Sequence, residues 1–261
     1  MRVPRALSRL VPFRRWLAGG LGLLFPPLCA SCSAEIPAEH TERALLCDSC
    51  RKELLARDPS TCPHCGMPYQ DLTGQLPKCP SCRRQPPRFS EVVSLGPYEQ
   101  SLRLALLRVK GVHEEPLAAA LGELLWERRR ERLESLKPDV ITPIPMHWFR
   151  RLERGTNSPQ TLAETLARHL RVPCHSRMLV RRRSTEPQGP LPRPARARNV
   201  RRAFAHRKRF PVAGRRVLLV DDILTTGATA GAATRVLLRA GALDVAVVVV
   251  GRADGHVMND A

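Results

Sequence analysis

Two adjacent carboxylates, Asp221 and Asp222, stand between an apolar run and a loop of small and hydroxyl side chains in the stretch VLLVDDILTTGAT at 217–229. The apolar run, Val217 to Val220, predicts a strand, and an apolar helix is expected from about 228 to 240. This order sets the loop Thr225-Thr226-Gly227-Ala228-Thr229 at the start of a helix. Backbone N–H groups are unpaired there, and the helix dipole is positive. Amides and hydroxyls in that position suit a phosphate, and carboxylates suit sugar hydroxyls. Together they describe a site for a ribose bearing a 5′-phosphate. The rival reading, a buried strand ended by a polar turn, leaves two neighbouring acids desolvated without a partner. No Walker or GxGxxG pattern occurs to suggest another nucleotide loop.

A second constellation is made of cysteines. Eight of the nine form four C-x-x-C pairs, Cys29/Cys32, Cys47/Cys50, Cys62/Cys65 and Cys79/Cys82, with gaps of 14, 11 and 13 residues between pairs. Each pair can offer two thiolates to one metal through a tight knuckle, and two knuckles complete a tetrahedral S₄ zinc site. Two such sites are expected. Sequential pairing, 29/32 with 47/50 and 62/65 with 79/82, is preferred over an interleaved cross-brace. Four thiolates leave zinc no open position, so both ions would be structural. The competing disulfide framework would need export from the cell. His64, inside the knuckle Cys62-Pro63-His64-Cys65-Gly66, reads as exposed rather than as a ligand, and Cys174 as an isolated thiol.

These sites need a scaffold. The apolar segment DVAVVVV at 244–250 predicts a strand covered on both faces. Helical spacing appears at 100–111 (Leu102, Leu106, Val109), at 116–136, and at 159–170 (Leu162, Leu166, Leu170). Strands are expected at 139–146, with a Pro-rich loop after it, and at 177–181. Alternating strands and helices give an α/β fold with a mostly parallel sheet, preceded by a small Cys-rich double zinc ribbon. Ligands of such sheets bind at the carboxyl ends of the strands, where Asp221 and Asp222 fall. Residues 83–98 are Pro-rich and read as the end of the zinc module. Residues 182–216 show no core periodicity and carry many Lys and Arg against the single acid Glu186. They read either as a solvated basic loop or as a flap over a phosphorylated ligand or nucleic acid.

The formal net charge is +19, which two thiolate-bound zinc sites reduce to about +15. Such a surface favours phosphorylated ligands and nucleic acid. No apolar run reaches the roughly 20 residues that span a bilayer. The basic start and the short apolar stretch Leu17 to Phe25, interrupted by glycines, read as an N-terminal helix rather than a signal peptide.

The 217–229 stretch resembles the motif by which type I phosphoribosyltransferases bind phosphoribosyl pyrophosphate (PRPP). The resemblance implies that Asp221 and Asp222 hold the ribose hydroxyls and are the catalytic pair. It also implies that Thr225, Thr226, Gly227, Ala228 and Thr229 hold the 5′-phosphate, with Mg²⁺ bridging ribose and pyrophosphate. With the cysteine module in front, the whole chain is similar to the ComF family, a zinc ribbon joined to a phosphoribosyltransferase-like domain. Pro143-Ile144-Pro145-Met146-His147 with Arg150, Arg151, Arg154 and Gly155-Thr156-Asn157 matches that family's pyrophosphate-facing loop. Arg183, Thr185, Gln188, Arg193, Arg196 and Asn199 match its flexible-loop pattern, which lands on the basic segment. Thr156, Ser158 and the Gly189-Pro190-Leu191 run depart from the usual residues.

The family resemblance implies an N-terminal extension at 1–28, the double ribbon at 29–84 and the phosphoribosyltransferase-like domain at 92–261. It implies a cytoplasmic protein of DNA uptake and competence, with PRPP or another phosphorylated ribose as ligand. Single-stranded DNA and proteins of the competence machinery are its expected partners. Whether it transfers the phosphoribosyl group, or binds single-stranded DNA without turnover and uses the PRPP site as a sensor, stays open at this level. So does a purely regulatory or scaffolding role. Only a short stretch follows the last expected strand, so a C-terminal base-binding hood is not expected, and the zinc module is the candidate for that place.

Overall fold

A computed structural model describes residues 26–37, 45–69, 79–146, 157–183 and 193–253. The expected N-terminal helix, and His147, Arg150, Arg151, Arg154, Thr185 and Gln188, lie outside the described residues. The chain separates into two compact units, one up to Arg51 and one from Lys52 onward. The first holds the knuckle around Cys29 and Cys32, closed by Cys29 N–H to Ala34 (2.8 Å) and Ser33 N–H to Cys29 (2.8 Å). Helix α1, Asp48–Leu54, begins in it and carries Cys50.

The larger unit is built on four parallel strands. They are β1 (Val92–Pro97), β2 (Val140–Pro143), β5 (Arg216–Leu224) and β6 (Asp244–Arg252), in the spatial order β1-β6-β5-β2. β5 and β6 are the inner strands, and both are dominated by aliphatic side chains because both faces are covered. Val217, Leu219, Val245, Val247 and Val249 join one buried cluster with Ala230, Ala233 and Leu237 of helix α7 (Ala228–Arg239). A short helix, α2 (Pro80–Arg84), carries Cys82, and helices α3 (Gln100–Arg108), α4 (Glu115–Ser135) and α5 (Ser158–Leu170) pack against the sheet outside that cluster, which leaves them its other face. α7 stops where expected. Ala242 N–H bonds Leu237 (3.1 Å) and Gly241 N–H bonds Leu238 (3.0 Å), closing its last carbonyls.

Three expectations are corrected. The stretch ending the Pro-rich 83–98 segment is a strand, β1, whose first five residues are buried and whose register runs Val92 against Val247. Strand β5 does not stop at Val220. It continues through both acids to Leu224, with Asp221 opposite Val249 and Ile223 opposite Gly251. The basic segment is also not a structureless loop. It contains helix α6 (Arg193–Asn199) and strand β4 (Phe204–His206), which pairs antiparallel with β3 (Leu179–Arg181). Val200, Ala203, Phe204 and Val212 are buried in the α7 cluster. Arginines and lysines interrupt these short apolar groups in sequence, so no sustained period of 2 or 3.6 marks them.

Candidate functional site

The acid pair sits at the carboxyl end of the sheet because β5 is an inner parallel strand. Asp221 and Asp222 are both half-buried, and each turns a carboxylate oxygen onto local backbone. Asp222 N–H donates to Asp221 Oδ1 at 3.0 Å, and Ile223 N–H donates to Asp222 Oδ1 at 2.8 Å. Desolvation, then the charge of Asp222, hold the Asp221 carboxyl well above the ordinary carboxylate range. The charge of Arg181 on β3 opposes that shift. The chain leaving β2 stays beside the pair, because Ile144 N–H bonds Val220 at 2.7 Å. Tyr98, buried after β1, feels the charge of Asp222 and hydrogen-bonds Arg103.

The loop after β5 is open as a cradle must be. Thr225 to Thr229 are all half-buried. Gly227 turns the chain into α7 at φ +75°, a conformation that L side chains rarely adopt. Among the described residues, the backbone N–H groups of Thr226, Gly227 and Thr229 have no hydrogen bond. Ala228 N–H reaches only the Thr226 hydroxyl, at 3.4 Å. Free amides at the N-terminus of a twelve-residue helix form a site for an anion.

The arginines expected to face pyrophosphate are placed differently from one another. Arg183 donates to the Asn199 carbonyl at 2.7 Å and so ties the start of the basic segment to the end of α6. Arg196 is buried in α6. The side chain of Arg193 lies outside the described residues.

The cysteines gather into two groups, Cys29/Cys32/Cys47/Cys50 and Cys62/Cys65/Cys79/Cys82, each with its sulfurs within 4.8 Å of one another. The pairing is sequential. Sγ separations of 3.7 Å (Cys32 to Cys47), 3.9 Å (Cys62 to Cys82) and 3.5 Å (Cys65 to Cys79) fit a tetrahedron of Zn–S bonds, whose edge is about 3.8 Å. Burial pushes the Cys65 thiol up to about 11, so this sulfur ionises readily only with a cation beside it. Zinc held here would be a closed structural ion. His64 is exposed, as expected, and Cys174 joins neither group.

In the larger unit the second knuckle is fastened to the sheet. Val92 N–H bonds Pro63 at 2.8 Å, and His64 Nδ1 donates to Ser90 at 3.0 Å. The main link is Arg252, the last residue of β6, which is buried. Its Nε donates to the Cys65 carbonyl at 2.7 Å. Its Nη1 donates to Leu224 at 2.8 Å, Thr225 at 2.6 Å and Ala253 at 2.5 Å. One guanidinium therefore joins a zinc ligand's backbone to the start of the cradle. Gly66 makes room for it at φ +70°, since a Cβ there would lie 2.8 Å from Val92 Cγ1 and 3.2 Å from Arg252 Cδ. Sequence reasoning passed over Arg252. Its only signal was a charge terminating an otherwise apolar strand.

Beside the loop, a cavity of about 660 Å³ opens between this knuckle and α7. Its wall includes the loop residues Thr225 to Ala228 but neither Asp221 nor Asp222.

Comparison with known proteins agrees with this geometry. Residues 159–259 match the family model of the phosphoribosyl transferase domain, and residues 20–83 match that of the double zinc ribbon domain. The fold and its sites thus define a phosphoribosyltransferase-type α/β protein that carries a double zinc ribbon. The DNA utilization protein YhgH of Salmonella typhimurium is 34% identical over 230 residues, covering 86% of this chain and 96% of the relative. Competence protein F of Haemophilus influenzae is 29% identical over 225 residues (84% and 94%). Competence protein ComFC of Bacillus subtilis is 28% identical over 232 residues (82% and 90%). The chain belongs to this ComF family of DNA utilisation and competence proteins. No helix among the described residues is long and apolar enough to cross a membrane.

Proposed function

We propose that the chain binds PRPP, or another ribose carrying a 5′-phosphate, at the end of β5, and serves DNA uptake and use in the cytoplasm. The observation that carries this reading is the meeting of Asp221 and Asp222 with the unbonded N–H groups of the Thr225–Thr229 loop at the start of α7. The loop amides and the helix dipole would take the 5′-phosphate. The two carboxylates would accept from the ribose 2′- and 3′-hydroxyls, which relieves the desolvation of Asp221. Bound Mg²⁺ would supply charge neutralisation for a departing pyrophosphate. In a transfer reaction the C1–oxygen bond to pyrophosphate would break, pyrophosphate leaving with the bonding pair, as a nucleophilic atom of the acceptor bonds C1, and the acids would hold the ribose while positive charge develops at C1. Arg183, at the start of the basic segment, would offset charge on the leaving group.

Calorimetry with PRPP and Mg²⁺ tests the reading. The parent should bind, and Asp221→Asn with Asp222→Asn should weaken binding by about a hundredfold, as the loss of two charge-assisted hydrogen bonds implies. Equal affinity in parent and double variant would refute the site.

A second reading is favoured by the net charge of +19 and by the exposed Arg198, Arg201 and Arg202 after the start of α6. Here the protein grips single-stranded DNA, and the ribose-phosphate site senses a ligand without turnover. Relatives named for DNA utilisation and competence fit it. Binding of an oligothymidylate should then fall steeply with salt, in proportion to the phosphates contacted. An affinity that stays flat between low and physiological ionic strength would refute this second reading.

A further inference from the structure

The cavity of about 660 Å³ beside the cradle has features that the ribose site does not use. Arg88, Arg201 and Arg235 converge on it from three separate segments: the approach to β1, the turn after α6, and the second turn of α7. Among the described residues none of the three side chains has a hydrogen-bond or ion-pair partner, and no Asp or Glu lines the cavity. Arg235 Nε is buried and unsatisfied. Desolvation, and then the charges of Arg88, Arg239 and Arg201, lower its affinity for its proton. Three cations crowded without an acid repel one another, and a buried guanidinium N–H without an acceptor is costly. Both costs vanish if an anion occupies the space. The remaining wall is apolar, with Met67, Phe89 and Val200 facing the same volume. That volume lies in the range of small-molecule pockets, and a few polar groups set in an apolar wall are their usual composition.

We propose that this cavity is a second ligand site, separate from the ribose acids, which takes a phosphomonoester with an apolar or aromatic body. Arg235, Arg201 and Arg88 hold the phosphate oxygens, and the body lies against Met67, Phe89 and Val200. The site is bounded on one side by the second zinc knuckle and on the other by the 225–228 loop. Its occupant therefore touches the same loop that cradles the ribose phosphate. A small ligand is favoured over a polymer strand because the unsatisfied Nε is buried.

The test uses the full chain loaded with zinc, with phenyl phosphate, which has no ribose for the acids to hold, inorganic phosphate and a twelve-residue oligothymidylate as calorimetric probes. The expected result is one phenyl phosphate bound per chain. Arg201→Gln with Arg235→Gln should weaken it about tenfold or more, while Asp221→Asn with Asp222→Asn leaves it unchanged. Arg235→Lys keeps the charge and loses the fork, so its affinity should fall between the two. Zinc content and circular dichroism of each variant establish that it is folded. Inorganic phosphate should bind more weakly than phenyl phosphate, with the same dependence on the arginines. The proposal is overturned if phenyl phosphate does not bind at millimolar concentration, if its binding follows the acids rather than the arginines, or if only the oligonucleotide binds.

Discussion

Replacing Arg252 with methionine keeps most of the side chain's volume and removes its guanidinium. The four carbonyls it serves, those of Cys65, Leu224, Thr225 and Ala253, are fixed by the knuckle and by the end of the sheet. A buried charge can often be exchanged for an apolar group at little cost, provided its partners leave with it. Here the acceptors are backbone and remain. Each hydrogen bond from a charged donor is worth ~1.5–3 kcal/mol, but the four share one group and one desolvation penalty. Allowing for that sharing and for water entering near Thr225, the loss is about 3–5 kcal/mol, comparable with breaking a buried ion pair. A domain with ~5–15 kcal/mol of stability would still fold, with a clearly lower urea midpoint. The second consequence is local. With Cys65 no longer tied to the loop, zinc should leave the second cluster faster in a chelator competition. Arg252→Lys should recover only part of both effects, since an ammonium cannot span the same acceptors. A methionine variant within about 0.5 kcal/mol of the parent, releasing zinc at the parental rate, would refute the idea that this residue joins knuckle and cradle.

Two further outcomes follow from the same geometry. Burial, with Asp222 adding to it, raises the Asp221 carboxyl above its value in the unfolded chain. Its contribution to stability is therefore full below the ordinary carboxylate range and is lost as pH rises through the elevated value. Without ligand, Asp221→Asn should melt a few degrees above the parent at pH 8 and no higher at pH 4; a parental melting temperature at pH 8 would contradict this. Cys65→Ser should lower the zinc content from two ions per chain to one by metal analysis. It should destabilise the larger unit strongly, because structural zinc supplies on the order of 10 kcal/mol of folding free energy. Retention of both ions would exclude Cys65 as a ligand.

The zinc knuckles and the ribose-phosphate stretch are legible in the sequence because their chemistry is written in short, contiguous spacing. C-x-x-C brings two sulfurs to one point through a single turn, and each pair needs only a nearby second pair to close a tetrahedron. Strand, acid pair, small loop and helix in VLLVDDILTTGAT likewise involve neighbours in the chain. Strand β6 and helices α4 and α5 announce themselves through apolar runs and helical spacing.

Tertiary structure alone decided what depends on distant partners. Val92–Pro97 is a strand because it pairs with β6, not because its own residues insist on it after a Pro-rich stretch. Continuation of β5 through Asp221 and Asp222 comes from its ladder with β6, which local polarity argued against. In the basic segment, Val200, Ala203 and Phe204 are buried because α7 lies over them, and no local period foretold that. Arg252 meets Cys65 across 187 residues, and Arg88, Arg201 and Arg235 meet across a cavity. Contacts of that range form only once the sheet has brought its loops together, since a local pattern records a residue's neighbours along the chain and not those the fold will supply.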